Sequence, residues 1–471
     1  MEVLNTLGRV RIPFVPEHDG SVGIYVCGPT VQANPHVGHG RSAVAFDVIR
    51  RYLMYRGYAV TYVRNITDID DKIIAAANEQ GVSIEDVAAR AAEWFEATQD
   101  ALGVLRPDIE PRATDHIAEI IDMIGDLIVK DHAYAAGGDV YFAVRSFAHY
   151  ARLSNRNLDE MLAGARIATG DIKRDPLDFA LWKAAKPGEP QWPSPWGLGR
   201  PGWHIECSAM ARRYLGDTLD IHGGGTDLIF PHHENEIAQS EAVTGRPFVN
   251  VWLHNGMVTL SGEKMSKSTG HFVDLASLLA DHPPLAIRLF YLRAHYRSNV
   301  EFSPDLIADA DASFERLQSF RRRHADLEVT VPDAGIVAAF ETAMDDDFNT
   351  PVALGVLFDA VREGNRLSDE GGDAAGVAAA VERILEVLGL IPEATGSDGL
   401  DGLAPDLERL AAELGLEPGH GAEETLERVI DHRTEARAGK DWSTSDKIRD
   451  GLASIGIVIE DGADGVAWHR K

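Results

Sequence analysis

Two histidines three residues apart, His36-Val37-Gly38-His39, stand just ahead of a segment with helical spacing. Imidazoles beside a glycine that lets backbone come close suit an anionic phosphate, which a helix N-terminus also favours. Far downstream, Gly262-Glu263-Lys264-Met265-Ser266-Lys267-Ser268-Thr269-Gly270 sets two lysines three apart among glycines and serines. Such lysines act as movable point charges on a loop that closes over phosphates. Taken singly, the histidine motif reads about equally well as loop histidines with no role, and the lysine pair is more often an ordinary solvated loop. A third candidate is the pair Cys27 and Cys207, the only cysteines in 471 residues. One disulfide, two buried thiols or two metal ligands all fit that count, and a reducing compartment disfavours the first.

The elements that must hold these groups are legible around them. Ser21 to Val26 reads as a short buried strand ending in Cys27-Gly28-Pro29, and Val44, Phe46, Val48, Ile49, Tyr52 and Leu53 give Arg41 to Arg56 one apolar helical face. Gly57 suits the left-handed cap that ends such a helix, and Tyr58 to Val63 reads as a second strand. Strand, helix, strand predicts a parallel α/β unit with ligands at the strand ends, in 27–40 and 65–71. Pro111 to Trp196 reads as an insertion: helical to Val129, then a hairpin through Gly137-Gly138, then a proline-rich stretch. Residues 304–390 are mainly helical around an acidic turn, Asp345 to Pro351. A linker, 392–402, precedes a small module of helices and a final hairpin, Ile457 to Trp468.

In this order and setting, the His36–His39 and Lys264–Lys267 motifs resemble the HIGH and KMSKS signatures of class I aminoacyl-tRNA synthetases. Tyr25 to Thr30, Asn65 to Lys72, Gly202 to Met210, Asp220 to Gly225 and Pro231 to Glu236 extend the likeness over nearly the whole chain, to the cysteinyl-tRNA synthetase family. Gln32 departs from the tyrosine usual there, and Thr269-Gly270-His271 from the commoner Leu-Gly-Asn. Both lie beside the expected ATP site and bear on affinity rather than identity.

The resemblance implies a fold class of α/β type: a Rossmann-like catalytic domain (1–110 and 197–250) with a connective insertion near the acceptor end (111–196). A KMSKS and stem-contact region (251–303), an α-helical bundle of anticodon-binding type (304–391) and a small mixed α/β anticodon module (401–471) follow. It implies cysteine activation with ATP and Mg2+ to an adenylate, then transfer to tRNA(Cys), with His36, His39, Lys264 and Lys267 stabilising the transition state. ATP is expected to meet those four residues and Gly28, Thr30, Gly223, Gly224 and Asp227. Thr67, Trp203 and His222 are expected at the substrates, and Arg437, Asp446 and Asp461 at the anticodon.

One Zn2+ per chain is implied on Cys27, Cys207, His232 and Glu236. The last two are spaced i, i+4 on a helix that Pro231 is expected to open. Two thiolates, an imidazole and a carboxylate suit zinc, and a zinc-bound thiolate separates cysteine from serine far better than a methylene-sized difference does. No editing domain is therefore expected. His233-Glu234 does not continue into a zinc-protease motif, because position 237 is Ile.

The formal charge of −29 argues against attraction of RNA by the whole surface, so any nucleic-acid contact must be local. No stretch has the length and apolarity of a signal peptide or membrane span, so a cytoplasmic monomer without membrane contact is expected. A cysteine ligase with a small-molecule acceptor, resembling mycothiol ligase, would activate cysteine identically. Residues 401–471 favour tRNA.

Overall fold

The chain opens with a hairpin of β1 (Glu2–Asn5) and β2 (Val10–Pro13), and an apolar run then forms β3 (Ser21–Val26). Helix α1 (Val37–Tyr55) leads to β4 (Ala59–Arg64), followed by α2 (Asp71–Gln80) and α3 (Ile84–Ala101). The computed structural model describes residues 1–158, 172–260, 263–264, 272–327, 330–391, 403–462 and 465–470. Within them the chain forms two compact units, Met1–Ile391 and Pro392–Lys471.

After α4 (Ile117–Val129), the strands β5 (Ala133–Ala136), β6 (Asp139–Phe142), β7 (Phe179–Ala184) and β8 (Gly199–Pro201) make a four-stranded antiparallel sheet in that order. Gly137 and Gly138 close its first hairpin with φ of +62° and +92°, the positive pair that a tight two-residue turn demands. The sheet reaches Pro201, beyond Trp196, because β8 pairs with β7 across the proline-rich stretch. Such a non-local pairing leaves no periodic mark in sequence.

Helix α5 (Trp203–Leu215), β9 (Leu219–Gly225), α6 (Glu234–Thr244) and β10 (Val249–Asn255) return the chain to the first sheet. That sheet is parallel throughout, ordered β10-β9-β3-β4. β3 is near-continuously apolar, as a strand covered on both faces must be. Its chain leaves on one side through α1 to β4, whereas β9 lies on the other. The crevice at the carboxyl ends of β3 and β9 is therefore the switch point where such sheets bind ligands. All six predicted apolar residues of α1 are buried, and the Gly57 backbone is left-handed at φ +90°.

Three strands and two helices follow: β11 (Val258–Leu260) pairs with β12 (Glu263–Lys264) and with β13 (Val300–Phe302), while α7 (Leu275–Asp281) and α8 (Pro284–Leu292) lie between the last two in sequence. Helices α9 (Pro304–Arg323), α10 (Ala334–Asp345), α11 (Thr350–Asp369) and α12 (Ala375–Leu388) form the expected helical region, and their apolar faces join one core with α1. A buried ion pair fastens this junction: Arg288 on α8 contacts Asp47 on α1, and its Nε donates to the Leu388 carbonyl at 2.8 Å. Asp47 also accepts from Arg51 at 2.8 Å and from the Leu105 amide at 2.8 Å. In the acidic turn, Asp347 and Phe348 are left-handed, and Asp347 accepts from the Leu4 amide at 2.9 Å and from Arg297 Nε at 2.8 Å.

The second unit has its own core. Helices α13 (Ala404–Glu413), α14 (Ala422–Ala438) and α15 (Trp442–Ser454) bury Leu407, Leu426, Val429, Ile448 and Leu452, and the antiparallel hairpin β14 (Ile457–Gly462) and β15 (Gly465–Arg470) closes it. The expected linker 392–402 lies outside the described residues.

Candidate active site and metal centre

Cys27 directly follows β3, and Gly28 follows Cys27 where no side chain fits. A Cβ on Gly28 would lie 1.6 Å from the Asn65 carbonyl oxygen, so the loop after β3 is laid tightly against the loop after β4. The Gly28 amide donates to Asn65 Oδ1 at 2.9 Å. Thr67 clamps the same two loops through backbone bonds, its amide donating to the Pro29 carbonyl and its carbonyl accepting from Val31, each at 3.2 Å.

The helix that follows starts at Val37, four residues before Arg41, so the two histidines are its cap. His36 is the N-cap, and its Nδ1 accepts from the Gly38 amide at 3.1 Å. In return, His39 Nδ1 accepts from the His36 amide at 3.1 Å. This reciprocal arrangement satisfies two donors that helix geometry leaves without partners. It also fixes tautomers: with Nδ1 accepting, each neutral ring carries its proton on Nε2. The rings stack with centroids 3.7 Å apart. The motif thus offers two Nε2–H donors at a helix N-terminus, an arrangement suited to phosphate oxygens.

Around Cys27 a buried polar cluster assembles. Ligand atoms of Cys27, Cys207, His232 and Glu236 all lie within 4.8 Å of one another, as do those of Cys27, His222, His233 and Glu236. Cys207 comes from α5 and Glu236 from the first turn of α6. The approach to Glu236 differs from expectation. Pro231 does not open the α-helix but follows a cis peptide, inside a wider turn over Ile229–His233, with Phe230 extended. His232 still faces Glu236, Nε2 to Oε1 at 3.2 Å, and its ring stacks on Trp203 at 4.3 Å. The other carboxylate oxygen, Oε2, contacts His222 Nε2 at 2.9 Å, and the Cys27 thiol donates to Oε1 at 3.4 Å.

Electrostatics here favour a cation. Burial pushes the Cys27 thiol well above its ordinary range and pulls His232 down to about 3, so thiol and imidazole are neutral without a positive partner. Glu236 is held below the ordinary carboxylate range: burial opposes ionisation, but His222 and His232 outweigh it. A buried carboxylate, an unprotonated imidazole and two thiols that a metal can deprotonate are a donor set that fits zinc. Of the two groups, that with both cysteines is the softer, while His222 is placed to hold Glu236 from behind.

Thr67 Oγ1 and Trp203 sit beside this cluster, and the ring of His222 stacks on Trp252 at 4.6 Å. Gly223 lies under the Phe46 ring, where a Cβ would come within 2.2 Å, and a Cβ on Gly224 would crowd Leu228 at 2.9 Å and His233 at 3.0 Å. A Cβ on Gly225 would meet Asp227 Oδ1 at 2.5 Å. Thr30 bridges Thr67. Lys264 falls in β12; Lys267 lies outside the described residues. In the second unit, Arg437 is on α14, Asp446 on α15 in an ion pair with Arg449 at 3.1 Å, and Asp461 in β14.

Several site residues were not singled out from sequence. Asn65 joins Gly28 and Cys207, the latter at 3.5 Å to Sγ. His204 meets His232, Nδ1 to Nδ1, at 3.0 Å, and His233 meets His254 at 2.7 Å. Glu206 is buried beside Thr67, its carboxyl pushed well up by burial first and then by Asp68 and Asp70. A polar residue inside an otherwise apolar helix face was the available signal for Glu206 and His204.

Residues 13–312 match the family model of the tRNA synthetases class I (C) catalytic domain, so fold and site together define a class I tRNA synthetase. Residues 339–392 match the DALR domain, and 420–468 match the cysteinyl-tRNA ligase anticodon binding domain. The chain belongs to the cysteine–tRNA ligase family, whose members join cysteine to tRNA. It is 49% identical over 479 residues to the cysteine–tRNA ligase of Yersinia pseudotuberculosis, covering 100% of both chains. It is 51% identical over 476 residues to that of Chromohalobacter salexigens, covering 99% of both. In fold it is similar to a methionyl-tRNA synthetase of Mycobacterium tuberculosis solved with methionyl-adenylate. The TM-score is 0.57 at 19% identity, over 85% of this chain and 99% of that one.

Proposed function

We propose that this enzyme activates cysteine with ATP and Mg2+ and transfers it to tRNA(Cys), and that zinc on Cys27, Cys207, His232 and Glu236 selects the substrate by its thiol. The observation that carries this reading is the convergence of those four donors, all within 4.8 Å, at the switch point that also receives the His36–His39 cap. Bound there, zinc supplies a soft position that prefers a thiolate to a hydroxyl. Serine is rejected because it cannot make that bond at neutral pH, and no editing step is required.

The chain's own residues account for the rest. Gly28, Thr30, Gly223, Gly224 and Asp227 form the ATP wall, and the three glycines let its backbone lie close against Asn65, Phe46, Leu228 and His233, which fixes the surface the nucleotide meets. As the cysteine carboxylate oxygen attacks the α-phosphorus and pyrophosphate leaves, the Nε2–H groups of His36 and His39 and the ammonium groups of Lys264 and Lys267 meet the growing oxygen charge. Thr67 and Trp203 border the amino acid, and His222 orients Glu236 from behind. Residues 111–196 serve the acceptor end, 251–303 the stem, and 304–391 with 401–471 the anticodon side, where Arg437, Asp446 and Asp461 read bases. The enzyme acts as a cytoplasmic monomer. Among the described residues no helix is long and apolar enough to cross a membrane.

Cysteine-dependent ATP–pyrophosphate exchange, tRNA(Cys) charging and zinc content test the reading together. One zinc per chain, exchange with cysteine and charging are expected. Cys207→Ala should lose zinc and raise KM for cysteine by roughly a hundredfold or more. Zinc well below half an equivalent in metal-replete protein, or an unchanged KM in that variant, refutes selection by a metal. Exchange without charging points instead to a small-molecule acceptor.

A further inference from the structure

Behind the metal centre lies a buried polar chain with one end unsatisfied. Asn65, Thr67 and Glu206 are 0%, 2% and 1% exposed. Asn65 Nδ2 donates to Thr67 Oγ1 at 3.3 Å, and the Thr67 hydroxyl donates to Glu206 Oε2 at 3.3 Å. Glu206 Oε1 has no hydrogen-bond partner among the described residues. Asn65 Oδ1, at the other end, takes the Gly28 amide and reaches Cys207. The chain therefore runs from the loop after β3, through the loop after β4, into the first turns of α5.

A threonine hydroxyl has one proton and two lone pairs. Here the proton goes to Glu206 and one lone pair takes Asn65 Nδ2. The remaining lone pair can only accept. The Thr67 backbone is held on both sides by Pro29 and Val31, which fixes where its Cβ projects, and the bonds to Asn65 and Glu206 set the direction of Oγ1. Oε2 of Glu206 accepts from Thr67 in the ionised carboxyl, and in the neutral one when the proton is on Oε1.

We propose that Glu206 is a positioning residue: by taking the Thr67 hydroxyl proton, it commits Thr67 Oγ1 to accept a hydrogen bond from the α-ammonium of the amino acid. The proposal rests on the reading that Thr67 borders the cysteine subsite. It divides recognition between two parts of one substrate. The thiol is read at the cysteine pair, and the ammonium is read through a hydroxyl whose direction is set from α5, one residue before Cys207.

Full-length protein is tested by cysteine-dependent ATP–pyrophosphate exchange, with zinc content measured alongside. 3-Mercaptopropionate, which keeps the thiol and carboxylate of cysteine but lacks the ammonium, serves as a competitive inhibitor. In Glu206→Ala, the KM for cysteine is expected to rise roughly tenfold or more, the loss of one hydrogen bond to a charged group. The inhibition constant of 3-mercaptopropionate should move less than about twofold, because that ligand makes no such bond. Glu206→Gln, whose amide oxygen can accept in place of Oε2, should recover most of the loss.

If both constants rise together, or if KM does not move, the proposal is overturned and Glu206 only packs. Should Glu206→Ala lose zinc, the near-isosteric Thr67→Val decides: the same split supports the proposal, and its absence overturns it. Wild-type protein without cysteine-dependent exchange would instead sink the activity reading itself, and the proposal with it.

Discussion

His204 and His232 meet edge to edge in the interior, and burial pulls both down to about 3 from the ordinary 6.5. Between those values the unfolded chain binds protons that the native chain refuses. The stability these rings contribute is therefore fully present above pH 6.5 and lost as pH falls through the window, by up to about 1.4 kcal/mol per pH unit for each ring. Chemical denaturation of zinc-free protein should show midpoints that drop steadily from pH 7 to pH 5. A flat profile would mean that the rings are solvated. At Gly28 the constraint is steric, since the Asn65 carbonyl oxygen would sit 1.6 Å from a Cβ. Gly28→Ala should cut exchange on the order of a hundredfold or more while leaving the second unit's own melting unchanged, which calorimetry can separate.

At the scale of elements, α1 is both wall and instrument. Its cap is made by catalytic candidates, so His39→Ala should act twice. It should destabilise the helix by about 1 kcal/mol, read by denaturation. It should also lower kcat of exchange by about 10² to 10³. Equal loss in kcat and KM at unchanged stability would contradict the reciprocal cap. The far side of the helix is held by Arg288 against Asp47. Arg288→Ala leaves the buried carboxylate with Arg51 and the Leu105 amide alone and should cost about 3 kcal/mol or more, visible as a lowered thermal midpoint.

Local pattern found β3 to the residue and the Gly137-Gly138 hairpin, because apolar runs and turn glycines are written in neighbouring positions. It placed the start of α1 four residues late, because histidines serve as caps through side-chain geometry that apolar periodicity does not register. It also misread Pro231, which stands in the turn before the α-helix rather than in its first turn. The four metal candidates were named from motifs that resemble a family, and they do converge. Asn65, His204 and Glu206 emerged only when β4 and α5 were folded against one another.

For the molecule as a whole, the two units have separate cores, one built on the parallel sheet and helices through α12, the other on α13 to α15. A chain ending at Ile391 should keep cysteine-dependent exchange near the full-length rate while kcat/KM for tRNA charging falls by roughly a hundredfold or more. That split is measured by running both assays on one preparation. Loss of exchange in the truncated chain would show that the catalytic unit does not stand alone.

Both cysteines lie in the candidate metal cluster, and none stands anywhere else in the chain. A cell short of cysteine can therefore still build this enzyme with only two cysteine codons to fill. The same economy carries a hazard. On the proposed reading, a ribosome that inserted serine at 27 or 207 would damage the very feature that tells cysteine from serine. Translation errors of that one kind would breed more of themselves, so accuracy at these two codons is a condition for accuracy at all the others.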